Sequence, residues 1–395
     1  LELSLKTNVW KPTGVPTIYK LLEYFDKSSH ELQLVLTDFG VGALHKTILK
    51  KKKNYSLILD GFKSSIIVIS DSIVSNSFFV RHLFKSINFI KKTLAIILLF
   101  LKNKPDVVYV DRSNVIIAAI LVRICRAKVV LRVMGIYPSM WEMININTLK
   151  NIFVRWCYKS KFKLVICTND GTPGEKWMKK VLHPKVKRVN LINGVDQKKF
   201  IKKKKKQKVG IYFIGRLENI KGCLEFVKGI SLLSDNDKKK ILVTIIGTGS
   251  LQSQLINLIK KYNLTKLIKH KRRIPHNNIK YIHSDCDIYV SLNKLGNLSN
   301  SNLECFSSGI CSIVIDSNPD TLSDLNMDKY FSKNSLIKVA FNSVEKDLSK
   351  EISHLVNNKK RIRQYSEKIY TEASKLLKTW DERIIIEKKL IENIK

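Results

Sequence analysis

The sequence predicts an α/β protein of two units, each a parallel sheet covered by helices on both faces. Three observations carry that expectation. The chain has 395 residues, too many for one ordinary core and about right for two at ~100–200 residues per domain. Short β-branched apolar runs recur along it, each followed by a helix-length stretch, the rhythm of strands buried on both faces. That rhythm breaks once, at 197–208, and then resumes.

Taken in order, the alternation Leu1, Leu3, Leu5 reads as an opening strand. Further strands are expected at 32–37, 66–69, 107–110, 129–133, 164–167 and 189–192. Beyond the break they continue at 209–214, 241–246, 288–291 and 312–315. The break contains five consecutive lysines, 202–206. A like-charge block repels itself and prefers water, so it marks a surface crossover. The expected organisation is therefore a first unit at 1–196, a Lys-rich crossover at 197–208 and a second unit at 209–375. The end is a charged helical pattern bearing Trp380 and Ile384, with 376–395 as a C-terminal helix.

Hydrophobic residues make up 44% and charged residues 26%, which excludes a disordered or collagenous chain. The net charge of +38 is unusual. Residues 1–200 hold 34 basic and 13 acidic side chains, and residues 201–395 hold 37 and 20. The excess is spread over both halves, and such a field favours anionic partners: phosphates, acidic headgroups or nucleic acid. No aromatic residues interleave with the lysine block, which argues against specific nucleic-acid recognition. Seven scattered cysteines without a C-x-x-C pair read as buried free thiols, as in a reducing, cytoplasmic setting. The apolar run 95–101 falls far short of the ~20 residues of a spanning helix. Two basic amphipathic stretches, 81–104 and 147–163, suit an anionic membrane surface.

Two segments could carry chemistry. Residues 209–222 read as a buried strand ending at Gly215, with Arg216 and Lys221 just beyond its carboxyl end, where open α/β sheets bind ligands. A guanidinium and an ammonium there suit a diphosphate. The second, 295–309, follows the strand 288–291 and leads into a helix. Its small and Asn residues let backbone N–H groups converge where a helix N-terminus favours an anion. Glu304 falls in the first turn. A carboxylate beside phosphate is repelled unless it accepts from sugar hydroxyls, which makes ribose its natural partner.

These segments, with Asn193-Gly194-Val195-Asp196, Ile246-Gly247-Thr248-Gly249-Ser250-Leu251 and the strand Cys286–Ser291, occur in an order that resembles the family 4 glycosyltransferases. The similarity is clear over roughly 160–320 and looser before it, where 104–109 and 129–135 fit the layout. The resemblance implies a GT-B fold, two Rossmann-like doubly wound domains facing across a cleft, the last helix returning to the first domain. It implies a retaining hexosyl- or N-acetylhexosaminyl-transferase, taking sugar from a nucleotide-sugar donor to a glycan or lipid-linked acceptor in surface polysaccharide synthesis. The place of work would be the cytoplasm or the cytosolic membrane face. By position, Arg216 and Lys221 would neutralise the donor diphosphate, and Glu304 would hold the ribose. Gly14, Gly215 and the backbone of Leu298, Ser299 and Asn300 would approach the phosphates. The leaving phosphate would take the acceptor's proton, so neither an enzymic base nor a metal or other cofactor is expected.

Two positions depart from the pattern. Gly296 stands where the family carries a carboxylate contacting the donor sugar, and Met134-Gly135 replaces a His-Gly. Met134, Gly135, Gly296 and Asn297 are thus candidate sugar or acceptor contacts. The departures also motivate an alternative, a catalytically impaired GT-B subunit that binds nucleotide or glycan without turnover. Asp285-Cys286-Asp287 has the letters of a metal-binding D-x-D but opens a strand, which favours a structural role. Gly247-Thr248-Gly249 lacks the third glycine of a dinucleotide fingerprint, and the histidines lack zinc-ligand spacing.

Overall fold

The computed structural model describes residues 2–12, 16–37, 54–69, 78–201, 203, 206–272, 274, 279–318 and 327–394. Its strands are β1 (Gln33–Thr37), β2 (Asn54–Leu59), β3 (Phe62–Ile69), β4 (Val108–Asp111), β5 (Val129–Val133), β6 (Leu164–Thr168) and β7 (Lys187–Leu191) in the first half. The second half holds β8 (Val209–Ile214), β9 (Ile241–Ile246), β10 (Ile268–Lys271), β11 (Ile288–Ser291), β12 (Cys311–Ile315) and β13 (Ile337–Val339). They form three sheets, ordered β1-β3-β2, β4-β5-β6-β7 and β10-β9-β8-β11-β12-β13. Among the described residues every pairing is parallel except β2 with β3.

The expected buried strands are present because their apolar runs are packed on both faces. Val209, Ile211 and Phe213 of β8 are at most 3% exposed among Val243, Ile245, Val290, Phe226 and Leu348. Val129, Leu131 and Val133 of β5 lie in the corresponding core of the first half, with Ala118, Leu121 and Trp177. Each such side chain contributes ~1.5–3 kcal/mol on burial.

Three strands, β2, β10 and β13, fall outside the expected runs. The edge strand β10 carries Lys269, His270 and Lys271, and β13 is only three residues long. The antiparallel β2–β3 hairpin turns at Asp60 and Gly61. The opening Leu1–Leu3–Leu5 alternation is not a strand: Glu2–Thr7 is a helix. Leu3 is exposed, and the inward residue is Ser4, whose Oγ accepts from the Lys11 amide at 2.9 Å. Without a neighbouring strand to supply a ladder, local i to i+4 bonding prevails, as in Thr7 Oγ1 donating to Leu3 O.

The crossover is partly turned inward. Lys203 Nζ donates to His283 O at 2.9 Å, and burial lowers its pKa. Lys206 donates to Asp285 O and lies 3.5 Å from the Asp287 carboxylate. Asp287 also accepts from the Gly210 amide at 2.7 Å. Lysine stems lie along apolar surface while their ammonium heads meet oxygen, so a lysine block need not be wholly solvated.

Helix Trp380–Glu392 packs on the first half. Ile384 and Ile391 join Val130, Leu164 and Ile166 in one cluster. Glu387, wholly buried, pairs with Arg383 at 2.8 Å and Arg132 at 3.6 Å, and accepts from Tyr109 Oη at 2.6 Å. All seven cysteines are free, six of them buried. Among the described residues no helix is long and apolar enough to cross a membrane.

Candidate functional site

The six-stranded sheet of the second half has a topological switch point. From β8 the chain moves outward to β9 and β10, whereas from β11 it moves the opposite way to β12 and β13, with β8 and β11 adjacent. The loops leaving two such strands diverge to opposite faces and open a crevice at the carboxyl ends, the usual ligand position in an open α/β sheet. Here those loops are 215–222 and 292–299. Lys294 N donates to Ile220 O at 2.8 Å, and Lys294 Nζ reaches Glu225 at 2.6 Å, tying the two walls together. The Gly247-Thr248-Gly249 turn backs the first loop: Gly215 N donates to Ile246 O and Leu217 N to Thr248 O. Its glycines thus serve backbone packing.

Arg216 and Lys221 both lie on the loop after β8. The Arg216 side chain is 59% exposed and pairs with Glu218 at 2.9 Å. Lys221 is half-buried, at the end of the short 3₁₀ turn Asn219–Lys221. Burial lowers its pKa, the Arg216 charge lowers it further, and Asp170 and Glu218 oppose them. Two cations thus share one loop, and the inner one feels a carboxylate from the first half.

The loop after β11 ends at Ser299, the N-cap of helix Asn300–Ser307. Ser299 Oγ does not cap the helix; it donates to Asn302 Oδ1 at 2.7 Å. Tyr289 Oη also donates to Asn302 Oδ1, at 3.0 Å. Asn297 is fully buried, its amide donating to Ile315 O at 2.9 Å. Leu298 is buried too, and its N–H donates to Asp170 O at 3.0 Å, so that amide is engaged across the cleft. Asn300 Oδ1 accepts from Asn193 Nδ2 at 2.7 Å, and Asn193 Oδ1 accepts from Thr17 Oγ1 at 3.0 Å. This polar chain joins the Asn-Gly-Val-Asp segment, the helix start and the helix Pro16–Lys27. Glu304 lies on the same helix, and its charge reaches Tyr19: burial raises the Tyr19 pKa, and Asp196, Glu23 and Glu304 raise it further. Gly14 lies outside the described residues.

On the first-half wall stand the loops after β5 and β6. Met134 Sδ accepts from Thr168 Oγ1 at 3.6 Å. Gly135 has φ +86°, and a Cβ there would lie 2.8 Å from the Asp170 Cγ. Gly296 faces the other side of the same segment: a Cβ would lie 2.6 Å from Asp170 O and 2.7 Å from Gly171 C. Residues 170–172 are therefore wedged between two glycines, one from each half.

Asp170, Tyr19 and Thr17 were not among the sequence candidates. Asp170 had a legible signal, an Asp-Gly turn directly after a buried strand. Tyr19 and Thr17 had none, because the partners from the site, Asn193 for Thr17 and Asp196 and Glu304 for Tyr19, lie more than 170 residues away in the chain.

Residues 194–372 match the family model of glycosyl transferases group 1. The fold is similar to sucrose-phosphate synthase from Thermosynechococcus elongatus, with TM-score 0.71 at 11% identity over 96% of this chain and 93% of that one. It is also similar to HepE from Anabaena in complex with UDP and glucose, with TM-score 0.67 at 12% identity over 96% and 97%. A third similar structure is the N-terminal domain of Candida albicans trehalose-6-phosphate phosphatase, with TM-score 0.69 at 10% identity over 97% and 95%. No curated protein matches the sequence. The parallel-sheet α/β architecture is the GT-B fold.

Proposed function

We propose that the chain is a retaining, family 4-type glycosyltransferase that moves a hexosyl or N-acetylhexosaminyl group from a nucleotide-sugar to a glycan or lipid-linked acceptor. The observation that carries this reading is the placement of Arg216 and Lys221 on one loop at the β8/β11 switch point, beside the loop that starts helix Asn300–Ser307. The glycosyl transferases group 1 match and the UDP bound in the structurally similar HepE support it.

The chemistry follows from charge. As the glycosyl bond breaks, negative charge grows on the leaving diphosphate, so cations fixed beside it stabilise the transition state more than the ground state. Arg216 presents a forked donor and Lys221 a compact charge, and the two do the neutralising work with no metal ion in the scheme. The N–H groups at the start of helix Asn300–Ser307 add a partial positive end. Glu304 accepts from the ribose hydroxyls. With diphosphate oxygens available to take the acceptor's proton, no side-chain base is required.

Arg216→Ala and Lys221→Ala should each lower kcat/KM by at least ~100-fold, the scale of losing one transition-state donor, with the unfolding midpoint unchanged. Near-normal turnover in either variant sinks the reading. A wild-type chain that binds a nucleotide-sugar saturably without transfer or hydrolysis would instead support the impaired-subunit alternative, which Gly296 and Met134 motivate.

For the acceptor side we infer peripheral contact with an anionic membrane at its cytosolic face. Helix Phe78–Asn103 exposes Ile90, Leu94, Leu98 and Leu101 along one stripe. Helix Leu149–Tyr158 exposes Leu149, Ile152, Phe153 and Trp156.

A further inference from the structure

We propose that Asp170 contacts the hydroxyls of the sugar being transferred; this rests on the nucleotide-sugar reading above. The carboxylate is fixed in place. Its Oδ1 accepts from Thr172 Oγ1 at 2.5 Å and from Thr172 N at 3.1 Å. Thr172 Oγ1 in turn accepts from Ile136 N at 3.0 Å, which joins the loops after β5 and β6. The Asp170 backbone carbonyl accepts from Leu298 N, so Asp170 also sits against the loop after β11. Its charge is felt at Lys221, and Lys221 is felt in return, although the two form no ion pair. Burial raises the Asp170 carboxyl above its ordinary value, while Thr172 and Lys221 pull the other way.

A nucleotide-sugar offers a carboxylate two kinds of surface. Phosphate oxygens repel it, and hydroxyls donate to it. Glu304 stands on the helix side, near Tyr19, with the Arg216–Lys221 loop holding the diphosphate. Asp170 stands on the opposite wall, between Gly135 and Gly296 and within reach of the Lys221 charge. The hydroxyl-bearing part of the donor beyond the diphosphate is the transferred sugar. A rigid carboxylate there also faces the positive charge that develops on the sugar ring as the bond to the leaving group breaks. The glycines on either side fit this role: a side chain at Gly135 would displace the carboxylate, and one at Gly296 would displace the backbone that carries it.

The test separates sugar from diphosphate. Affinities of wild type and Asp170→Asn are measured for UDP-glucose, UDP-N-acetylglucosamine, GDP-mannose and ADP-glucose, each beside its free nucleoside diphosphate. For the donor that wild type binds best, the variant should bind the free diphosphate within ~2-fold. It should lose about 10–100-fold on the intact donor, the scale of one hydrogen bond to a charged group, and kcat should fall ~100-fold or more. Equal donor affinity and turnover in the variant overturn the assignment alone. Equal loss of free diphosphate and donor also overturns it, because the role would then not be toward the sugar. If wild type binds none of the donors, the proposed function and this inference fail together. If Asp170→Asn lacks a cooperative unfolding transition, Thr172→Val decides: removing the hydroxyl that holds the carboxylate should give the same donor-selective loss at smaller size, and an unchanged donor affinity overturns the proposal.

Discussion

Gly222 has φ +69° and separates Lys221 from the helix Cys223–Ser231. A Cβ there would lie 2.5 Å from Leu292 Cβ and 2.7 Å from Leu292 O, on the opposite wall of the crevice. Both backbone conformation and close approach therefore demand glycine. Gly222→Ala should cost at least ~1–2 kcal/mol for the left-handed backbone alone, with the steric contact adding to it, read as a lower denaturant midpoint. A midpoint equal to wild type would mean that the two walls are not packed as described. The sequence already marked Arg216 and Lys221, because a glycine-ended strand followed by cations is a local pattern. It did not mark Gly222 as the wall contact, since Leu292 is 70 residues away.

At the scale of elements, the last helix is held by charge as well as by apolar contact. Glu387 faces Arg132 of β5 and Arg383 of its own helix, all three at most 2% exposed. Arg132 further donates to Ile166 O at 3.0 Å and to Thr168 Oγ1 at 2.8 Å, and Arg383 Nε donates to Ile192 O at 2.9 Å. Removing the shared carboxylate leaves two buried guanidinium groups uncompensated. Glu387→Leu should therefore destabilise the chain by about 3–5 kcal/mol, measured by equilibrium unfolding. A loss under ~0.5 kcal/mol would show that the cluster is solvated in solution. The same element clamps the Asn-Gly-Val-Asp segment, with Val195 N donating to Lys378 O and Trp380 N to Val195 O. That segment was legible as a motif, but the strand-like bridge that holds it was not. Of the β2–β3 hairpin only the apolar run 66–69 of β3 is among the expected strands; the Asp60-Gly61 pair, a two-residue hairpin signal present in the sequence, was missed, and β2 with it.

For the molecule as a whole, the proposed membrane contact draws on both the +38 charge and the two exposed apolar stripes. Apolar side chains that enter an anionic interface gain from burial, and the surrounding cations gain from the headgroups. The chain should co-sediment with vesicles containing phosphatidylglycerol and much less with pure phosphatidylcholine. The binding should fall as salt rises. Leu94→Glu with Leu98→Glu should abolish it while leaving donor affinity unchanged. Equal binding to both vesicles, or no effect of the double substitution, would refute the membrane contact.

By itself the sequence determined the α/β class, the buried strands and the cations beyond β8, because each is written in a local run: apolar periodicity, a strand-ending glycine, a charge at a fixed offset. What only the tertiary structure decided was which distant loops meet. Asp170 wedged between Gly135 and Gly296, the Thr17–Asn193–Asn300 chain and the reach of the Glu304 charge to Tyr19 all join residues from separate parts of the chain. Such meetings are set by strand order and by closure of the two halves, and neither leaves a mark in the spacing of neighbouring residues.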